Sequence, residues 1–167
     1  LKLVFFTDIH ARVEWETPAA LLKATAASNA VQPKLVICGG DMIAEGYILT
    51  PAMILVSHMP LLTGFYQLTE GLESPVPSNR CLVVNNREVL AAFGSHPARV
   101  LQGHLHVNEL LRWRGTTFIT GGAICGKWWR GDFHGTEPGF GVLHLRPDRV
   151  DWEYHGYDWV SRRPTTA

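Results

Sequence analysis

Four apolar runs, each followed closely by aspartate or histidine, are the feature of this chain that most restricts its fold. The runs cover residues 3–6, 35–38, 54–56 and 100–101, and their composition is typical of buried strands. In chain order they are followed by Asp8 and His10, by Asp41, by His58, and by His104 and His106. Open α/β folds bind ligands beyond the carboxyl ends of their strands. We therefore expect these side chains to meet at one edge of a sheet.

The residue types in this set favour a divalent metal ion as the ligand. Carboxylates and imidazoles together suit hard-to-borderline cations such as Mn, Fe or Zn. Asp8 and His10 are two residues apart, so both can project from one side of the loop that follows their strand. Taken singly, an aspartate after a strand is more often a cap or turn residue, and a histidine is more often an ordinary hydrogen-bonding group. The ordered set of six residues is what favours a metal site.

The order of these segments resembles that of the calcineurin-like metallophosphoesterases. That family is marked by the blocks D-x-H, G-D, G-N-H-D/E, a lone histidine and G-H-x-H. Four of the five blocks are present here, as Asp8 with His10, Asp41, His58, and His104 with His106. Any one block alone is a weak signal, whereas the four together are a strong one and span roughly residues 1–157.

The resemblance implies a site for two divalent ions, Mn, Fe or Zn, and gives each residue a place in it. Asp8, His10 and His106 would bind the first ion, His58 and His104 the second, and Asp41 would bridge them. Paired ions polarise phosphate oxygens and lower the pKa of a bound water, so this metal-bound water would be the nucleophile and no protein nucleophile is needed. The implied activity is hydrolysis of a small phosphoester.

One family block, G-N-H-D/E, is missing, and the chain contains no Asn-His pair. In the family its Asn is a ligand of the second metal, and its His assists the leaving group. Only residues 42–53 lie between Asp41 and the run at 54–56, whereas a crossover between parallel strands usually needs a dozen or more residues with a helix. We therefore expect a segment to be missing between about residues 46 and 51, either because this sequence joins segments across omitted residues, which is slightly favoured, or because the protein has a real deletion. If it is truly deleted, the second ion loses a ligand, and the alternative function is a metal- or phosphate-binding module without turnover.

Candidates outside these blocks are weaker. Arg130 and His134 lie in a loop rich in Gly, Trp and charge, which could line a substrate cleft and cover organic groups on both sides of a phosphodiester. Diesters are for that reason slightly favoured over monoesters. The alternative is that Trp128 and Trp129 only pack against the sheet edge. Asn108 could orient a ligand histidine without itself binding the metal.

The cysteines are far apart in sequence, which predicts that they are small buried side chains.

The remaining pattern predicts an α/β protein. Helices are expected over residues 19–30 and 87–93, and a long loop over the site at 61–79. The C-terminal part predicts mainly antiparallel strands at 108–113, 116–120, 140–145 and 150–154, with turns at Arg114-Gly115 and at 147–149. The resemblance implies two mixed β-sheets packed as a sandwich with flanking helices.

Composition limits the partners that the chain can have. The formal net charge is zero and no basic run occurs, so there is no signature of nucleic-acid binding. No apolar stretch reaches the length of about 18 residues that predicts a transmembrane segment. With 167 residues, we expect a single domain and a soluble protein, cytoplasmic or periplasmic, of open oligomeric state. A structural protein with incidental histidines is the third hypothesis.

Overall fold

Two β-sheets pack face to face and carry helices on their outer sides. The computed structural model describes residues 1–10, 17–39, 48–49, 54–69, 81–92, 99–146 and 149–161. In chain order the elements are β1 (Lys2–Phe6), α1 (Thr17–Ala30), β2 (Leu35–Cys38), β3 (Ile48–Leu49), β4 (Ile54–Ser57), α2 (Phe65–Thr69), α3 (Asn86–Ala92), β5 (Arg99–Gln102), β6 (Glu109–Trp113), β7 (Thr116–Thr120), β8 (Gly139–Leu145) and β9 (Val150–Gly156). The predicted fold class is confirmed, including the mainly antiparallel C-terminal part.

Both sheets mix parallel and antiparallel pairs. The first sheet has the strand order β2-β1-β8-β9, and the second has the order β3-β4-β5-β7-β6. In the first, β1 is parallel to β2 and antiparallel to β8. In the second, β5 is parallel to both β4 and β7, while β3 and β6 add antiparallel edges. The β6–β7 hairpin turns at Arg114 and Gly115, whose φ angles of 48° and 82° suit the two central positions of a type I′ turn.

Strand β1 is buried on both faces, as its uninterrupted apolar sequence predicts. Leu3 and Phe5 face the second sheet, where they meet Leu101 and Ile119 in the core between the sheets. Val4 lies between them in sequence and points the other way, into a cluster with helix α1. Successive side chains of a strand alternate between faces, so this packing fixes both the register of β1 and the sheet edge at which it ends.

The second sheet is covered on its outer side by α3 and by the segment that follows β4. Phe118 packs there against Leu61 and residues of α3. The buried Gln102 satisfies its amide at the same place, because Oε1 accepts from the Leu61 N–H at 3.0 Å, while Nε2 donates to the Leu62 carbonyl and to Thr120 Oγ1. A fully bonded buried amide holds its partners in one arrangement. It therefore fixes the segment after His58 against the end of β5.

Two features differ from the sequence-based expectation. The predicted loop at 61–79 contains the short helix α2, which Thr63 helps to start by accepting the Phe65 N–H on its Oγ1 at 3.0 Å. The short strand β3 was not predicted.

Among the described helices, none has the length and apolar character needed to cross a membrane.

A missing segment is expected from the chain length only if the strands flanking Asp41 belong to one sheet. That premise is wrong, because β2 lies in the first sheet and β4 in the second, so the chain between them passes from sheet to sheet. Residues 40–47 and 50–53 lie outside the described residues. The expected missing segment between about residues 46 and 51 therefore stays a prediction.

Candidate metal centre

The ends of three strands bring most of the predicted ligands to one edge of the sandwich. Asp8 follows β1, His58 follows β4, and His104 follows β5. A backbone hydrogen bond joins the ends of β4 and β5, since the Gly103 N–H donates to the His58 carbonyl at 3.0 Å. We call Asp8, His10, His58, His104 and His106 the Asp8 cluster. Asp41, the predicted bridging ligand, lies outside the described residues.

Asp8 is the centre of the cluster, and its two carboxylate oxygens have different surroundings. The side chain is only 1% exposed. Its Oδ2 accepts two hydrogen bonds, from the Thr7 hydroxyl at 2.6 Å and from the His104 N–H at 2.9 Å. Its Oδ1 has no hydrogen-bond partner within the described residues. A buried carboxylate oxygen left in this way is costly unless another ligand takes it up.

Three imidazole nitrogens surround this Oδ1. The Nε2 atoms of His106, His10 and His58 lie 3.4, 3.8 and 3.8 Å from it. His104 completes the group, because its Nδ1 lies 3.1 Å from His58 Nε2. The donor atoms of Asp8, His58 and His104 lie within 4.8 Å of one another. The structure thus brings together five of the six predicted ligands.

These distances fit a divalent ion. Donor atoms that share a tetrahedrally bound ion at about 2.1 Å lie roughly 3.4 Å apart. The contacts of Asp8 Oδ1, at 3.4 to 3.8 Å, are close to that spacing and too long for good hydrogen bonds. An orphaned carboxylate oxygen among imidazole nitrogens is the donor set that Mn, Fe and Zn accept.

The electrostatics of the cluster centre on Asp8 and His106. Burial raises the pKa of Asp8, but the His106 imidazole, the Thr7 hydroxyl and the His104 N–H outweigh burial and hold that pKa well below its usual range. Burial lowers the pKa of His106, but the carboxylate of Asp8 and the side chain of Cys125 raise it to about 10. In the metal-free protein these two residues therefore form a buried ion pair near neutral pH.

The backbone of the cluster is unusual as well. Asp8, His10, His104 and His106 have φ angles of 52°, 45°, 72° and 58°. Residues other than glycine rarely adopt this left-handed conformation, and when they do it often marks a functional site. The positive φ angles turn the chain sharply after β1 and β5. Consequently Asp8 with His10, and His104 with His106, direct both members of each pair toward the same place.

Gly103 is required for the close approach of β5 to Asp8. A Cβ atom at this position would overlap Thr7 Oγ1 and lie 2.9 Å from Asp8 Oδ2. We predict that Gly103→Ala lowers the free energy of unfolding by about 1–3 kcal/mol, since the crowded backbone must move, and weakens Zn²⁺ binding. Denaturant titration and competition with a chromogenic chelator measure the two effects. Gly64→Ala is the control, because among the described residues its Cβ would meet only Glu109 Oε1, at 3.3 Å. Equal effects of the two substitutions would contradict this account.

The residues behind His106 were missed by the sequence analysis. Its Nδ1 lies 2.6 Å from the Gly126 carbonyl and 3.8 Å from Cys125 Sγ. Donation from Nδ1 to the carbonyl leaves Nε2 free of a proton for a metal, which is how such partners orient ligand histidines. Cys125 is fully buried, as predicted for the cysteines, whereas Cys81 is only half-buried. The Cys125 sulfur also lies within 4.8 Å of donor atoms of His10 and His106. Nothing in the sequence marks a position 19 residues from His106.

The predicted role of Asn108 needs correction. Its side-chain oxygen accepts the Trp152 indole N–H at 2.9 Å, and its own N–H donates to Thr136 Oγ1 at 3.1 Å. The carbonyl of Gly126 contacts His106 instead. Proximity in sequence was misleading here, because the positive φ of His106 turns the chain before it reaches Asn108.

An aromatic wall borders the cluster and contains one of the predicted substrate contacts. The rings of Trp128 and Phe133 lie 4.6 and 6.1 Å from the His106 ring, between centroids. His134 stacks edge-on against Phe133 at 4.4 Å and against Phe65 at 5.3 Å. His134 and Trp128 are exposed, so this wall faces solvent beside the cluster.

The two adjacent tryptophans have different roles. Trp129 is 1% exposed, packs in the core beside α1, and donates its indole N–H to the His10 carbonyl at 3.0 Å. Trp129 therefore has a packing role, which was the alternative expected for both tryptophans. Trp128 instead contacts His106 of the Asp8 cluster. Arg130 is half-buried in the same loop, and its role as a phosphate partner stays a prediction.

Comparison with solved structures identifies this architecture as the calcineurin-like metallophosphoesterase fold. An archaeal phosphodiesterase matches with a TM-score of 0.56 and 12% identity over 93% of this chain and 100% of that one. YfcE, a phosphoesterase from E. coli, matches with a TM-score of 0.50 and 11% identity over 86% and 88%. At such identities the likeness concerns the fold alone. No family model and no curated protein matches the chain.

Proposed function

We propose that the protein hydrolyses a phosphoester, with a phosphodiester favoured over a monoester, at a two-metal site. The observation that carries the proposal is the buried Oδ1 of Asp8, without a hydrogen-bond partner in the described residues and surrounded by the Nε2 atoms of His10, His58 and His106. Asp41 is proposed as the bridging ligand on the strength of its sequence block. The fold is compatible with this activity.

The residues of the chain would hold and orient the reaction partners. Asp8 and the histidines would hold divalent ions, which when bound would supply the positive charge that polarises phosphoryl oxygens and lowers the pKa of a water. Asp8 and the histidines fix the ion positions, and the Gly126 carbonyl holds His106 in the tautomer that presents Nε2. Trp128, Phe133 and His134 provide a surface for an organic substituent of the substrate. A diester has two such substituents, which is why it is favoured.

Turnover of chromogenic esters tests the proposal. We predict that the protein with excess Mn²⁺ or Zn²⁺ hydrolyses bis(4-nitrophenyl) phosphate faster than 4-nitrophenyl phosphate. His58→Ala should lower the rate on the order of a hundredfold or more, because it removes a donor that organises transition-state charge. His155→Ala is the control, since that histidine pairs with Glu153 on β9.

The second candidate function is ligand binding without turnover. It is favoured because the sequence has no G-N-H-D/E block. The Asn and His of that block would complete the second ion's site. Metal titration monitored by calorimetry separates the candidates when it is combined with the ester assay. Bound metal with no hydrolysis of either ester would support the binding module. No bound metal at all would contradict both.

A further inference from the structure

A cavity of ≈ 430 Å³ opens on the second sheet, and none of its described lining residues belongs to the Asp8 cluster. Arg99, where β5 begins, lines it, whereas the Asp8 cluster lies beyond the end of β5 at Gln102. Strands β6, β7 and β9, together with the neighbouring Gly115 and Arg149, contribute the rest of the described lining. Cavities that bind small molecules usually have volumes of about 300–1,000 Å³. The cavity is therefore large enough for a ligand and independent of the proposed metal centre.

The strand register places two arginines in one row across the cavity. Thr117 on β7 pairs with Arg99 on β5 and with Arg112 on β6. Directly paired residues project from the same face of a sheet, and adjacent strands are about 4.8 Å apart, so the two arginines begin roughly 10 Å apart with a hydroxyl between them. One step further along the strands, Ile119 belongs to the core between the sheets. Arg99, Thr117 and Arg112 therefore lie beside the core between the sheets, on the same face of the second sheet as Ile119.

The charges of the lining favour an anion. Among the described residues, the lining contains three arginines and one acidic residue, Asp151. Asp151 already contacts Arg149 at 3.1 Å and the adjacent Arg146 at 3.2 Å. Arg99 and Arg112, by contrast, form no ion pair with any carboxylate of the described residues. Two guanidinium groups that face one cavity, with no carboxylate partner among the described residues, are suited to phosphate-like groups, which their planar forks bind in a bidentate manner.

The floor of the cavity is apolar. Leu110, Ile119, Val150 and Trp152 line it between the two sheets. Leu110 is 46% exposed although it pairs with Ile119, so its side chain projects from the face of the second sheet that meets the first. A ligand with an apolar or aromatic portion would cover this surface, and its burial would contribute to affinity.

We propose that this cavity binds a small dianion that carries a phosphate-like group on an aromatic or apolar body. Arg99 and Arg112 hold the charged group on either side of Thr117. Leu110 and Trp152 contact the body of the ligand. Binding needs neither a metal ion nor any residue of the Asp8 cluster, so this site is independent of the proposed hydrolytic function.

Calorimetric titration with phenylphosphonate, which has no ester bond to hydrolyse, tests the proposal on the full chain. Arg99→Gln and Arg112→Gln should each weaken binding by roughly tenfold, because each removes a charge-assisted contact. Arg87→Gln is the matched control, since Arg87 lies on α3, which packs on the opposite face of the second sheet. Arg112 is exposed, so its substitution should leave the fold intact.

Two further variants locate the ligand. Leu110→Ser should remove the advantage of phenylphosphonate over methylphosphonate, whereas His58→Ala should leave phenylphosphonate binding unchanged. The proposal is overturned if phenylphosphonate does not bind at millimolar concentration or if Arg112→Gln binds it like the wild type. It is also overturned if His58→Ala alone abolishes binding, since the ligand would then occupy the Asp8 cluster.

Discussion

Replacement of Asp8 by asparagine should remove bound divalent ions and reduce phosphodiester turnover by roughly 10²–10³-fold or more. The change is nearly isosteric. Asparagine can still accept the hydrogen bonds from the Thr7 hydroxyl and the His104 N–H, and it tolerates the φ angle of 52° at this position. What it loses is the negative charge of Oδ1, which three imidazole nitrogens approach within 3.8 Å. Without that charge, a cation at this position would meet only the neutral imidazoles that surround Oδ1.

Elemental analysis of the purified protein, before and after loading with Mn²⁺ or Zn²⁺, measures this loss directly. Asp158→Asn is the matched control. Asp158 has a similar φ angle of 53°, is exposed, and is bound by Lys23 through its backbone carbonyl alone among the described contacts. The control should keep wild-type metal content and turnover. If Asp8→Asn kept the wild-type metal content, the proposal that the Asp8 carboxylate is a metal ligand would be contradicted.

The parts of the fold that the sequence predicted well are those with uninterrupted or periodic patterns. Residues 35–38 and 116–120 were predicted as strands with the bounds that β2 and β7 have. Apolar side chains on one or both faces of these strands are buried in a core. The free energy of that burial outweighs any local preference for another conformation. Strand β3 is two residues long, and its pairing with β4 leaves no comparable pattern in sequence.

The site was predicted in part because its residues follow strands. Asp8, His58 and His104 are brought together by strand ends alone. Gly126 and Cys125 are different, since they reach His106 from a distant loop whose path depends on glycine and on positive φ angles such as those of Trp128 and Trp129. Such turns depend on tertiary contacts, for example the Trp129 indole with the His10 carbonyl. Local sequence patterns cannot encode them.

The metal-free protein should lose stability as the pH rises from about 6.5 to about 10. The pKa of His106 is raised to about 10 in the folded state, whereas an unfolded histidine has a pKa near 6.5. A group with a raised folded pKa stabilises the protein fully below its unfolded pKa, and this contribution is lost as the pH rises toward the folded value. For Asp8 the sign is opposite, because its pKa is lowered, so its contribution is present at neutral pH and lost in acid.

Denaturant titrations of wild type and His106→Gln across this pH range measure the effect. Their difference in unfolding free energy should fall by up to about 1.4 kcal/mol per pH unit. The comparison cancels other titrations, such as those of Tyr154 and Tyr157, whose pKa values burial raises. A pH-independent difference would contradict the buried ion pair. Saturating Zn²⁺ should abolish the decline, because the ion takes the place of the proton on His106 and needs the neutral imidazole that high pH provides. The same titration thus tests whether the group that holds the proton in the metal-free protein is the group that binds the metal.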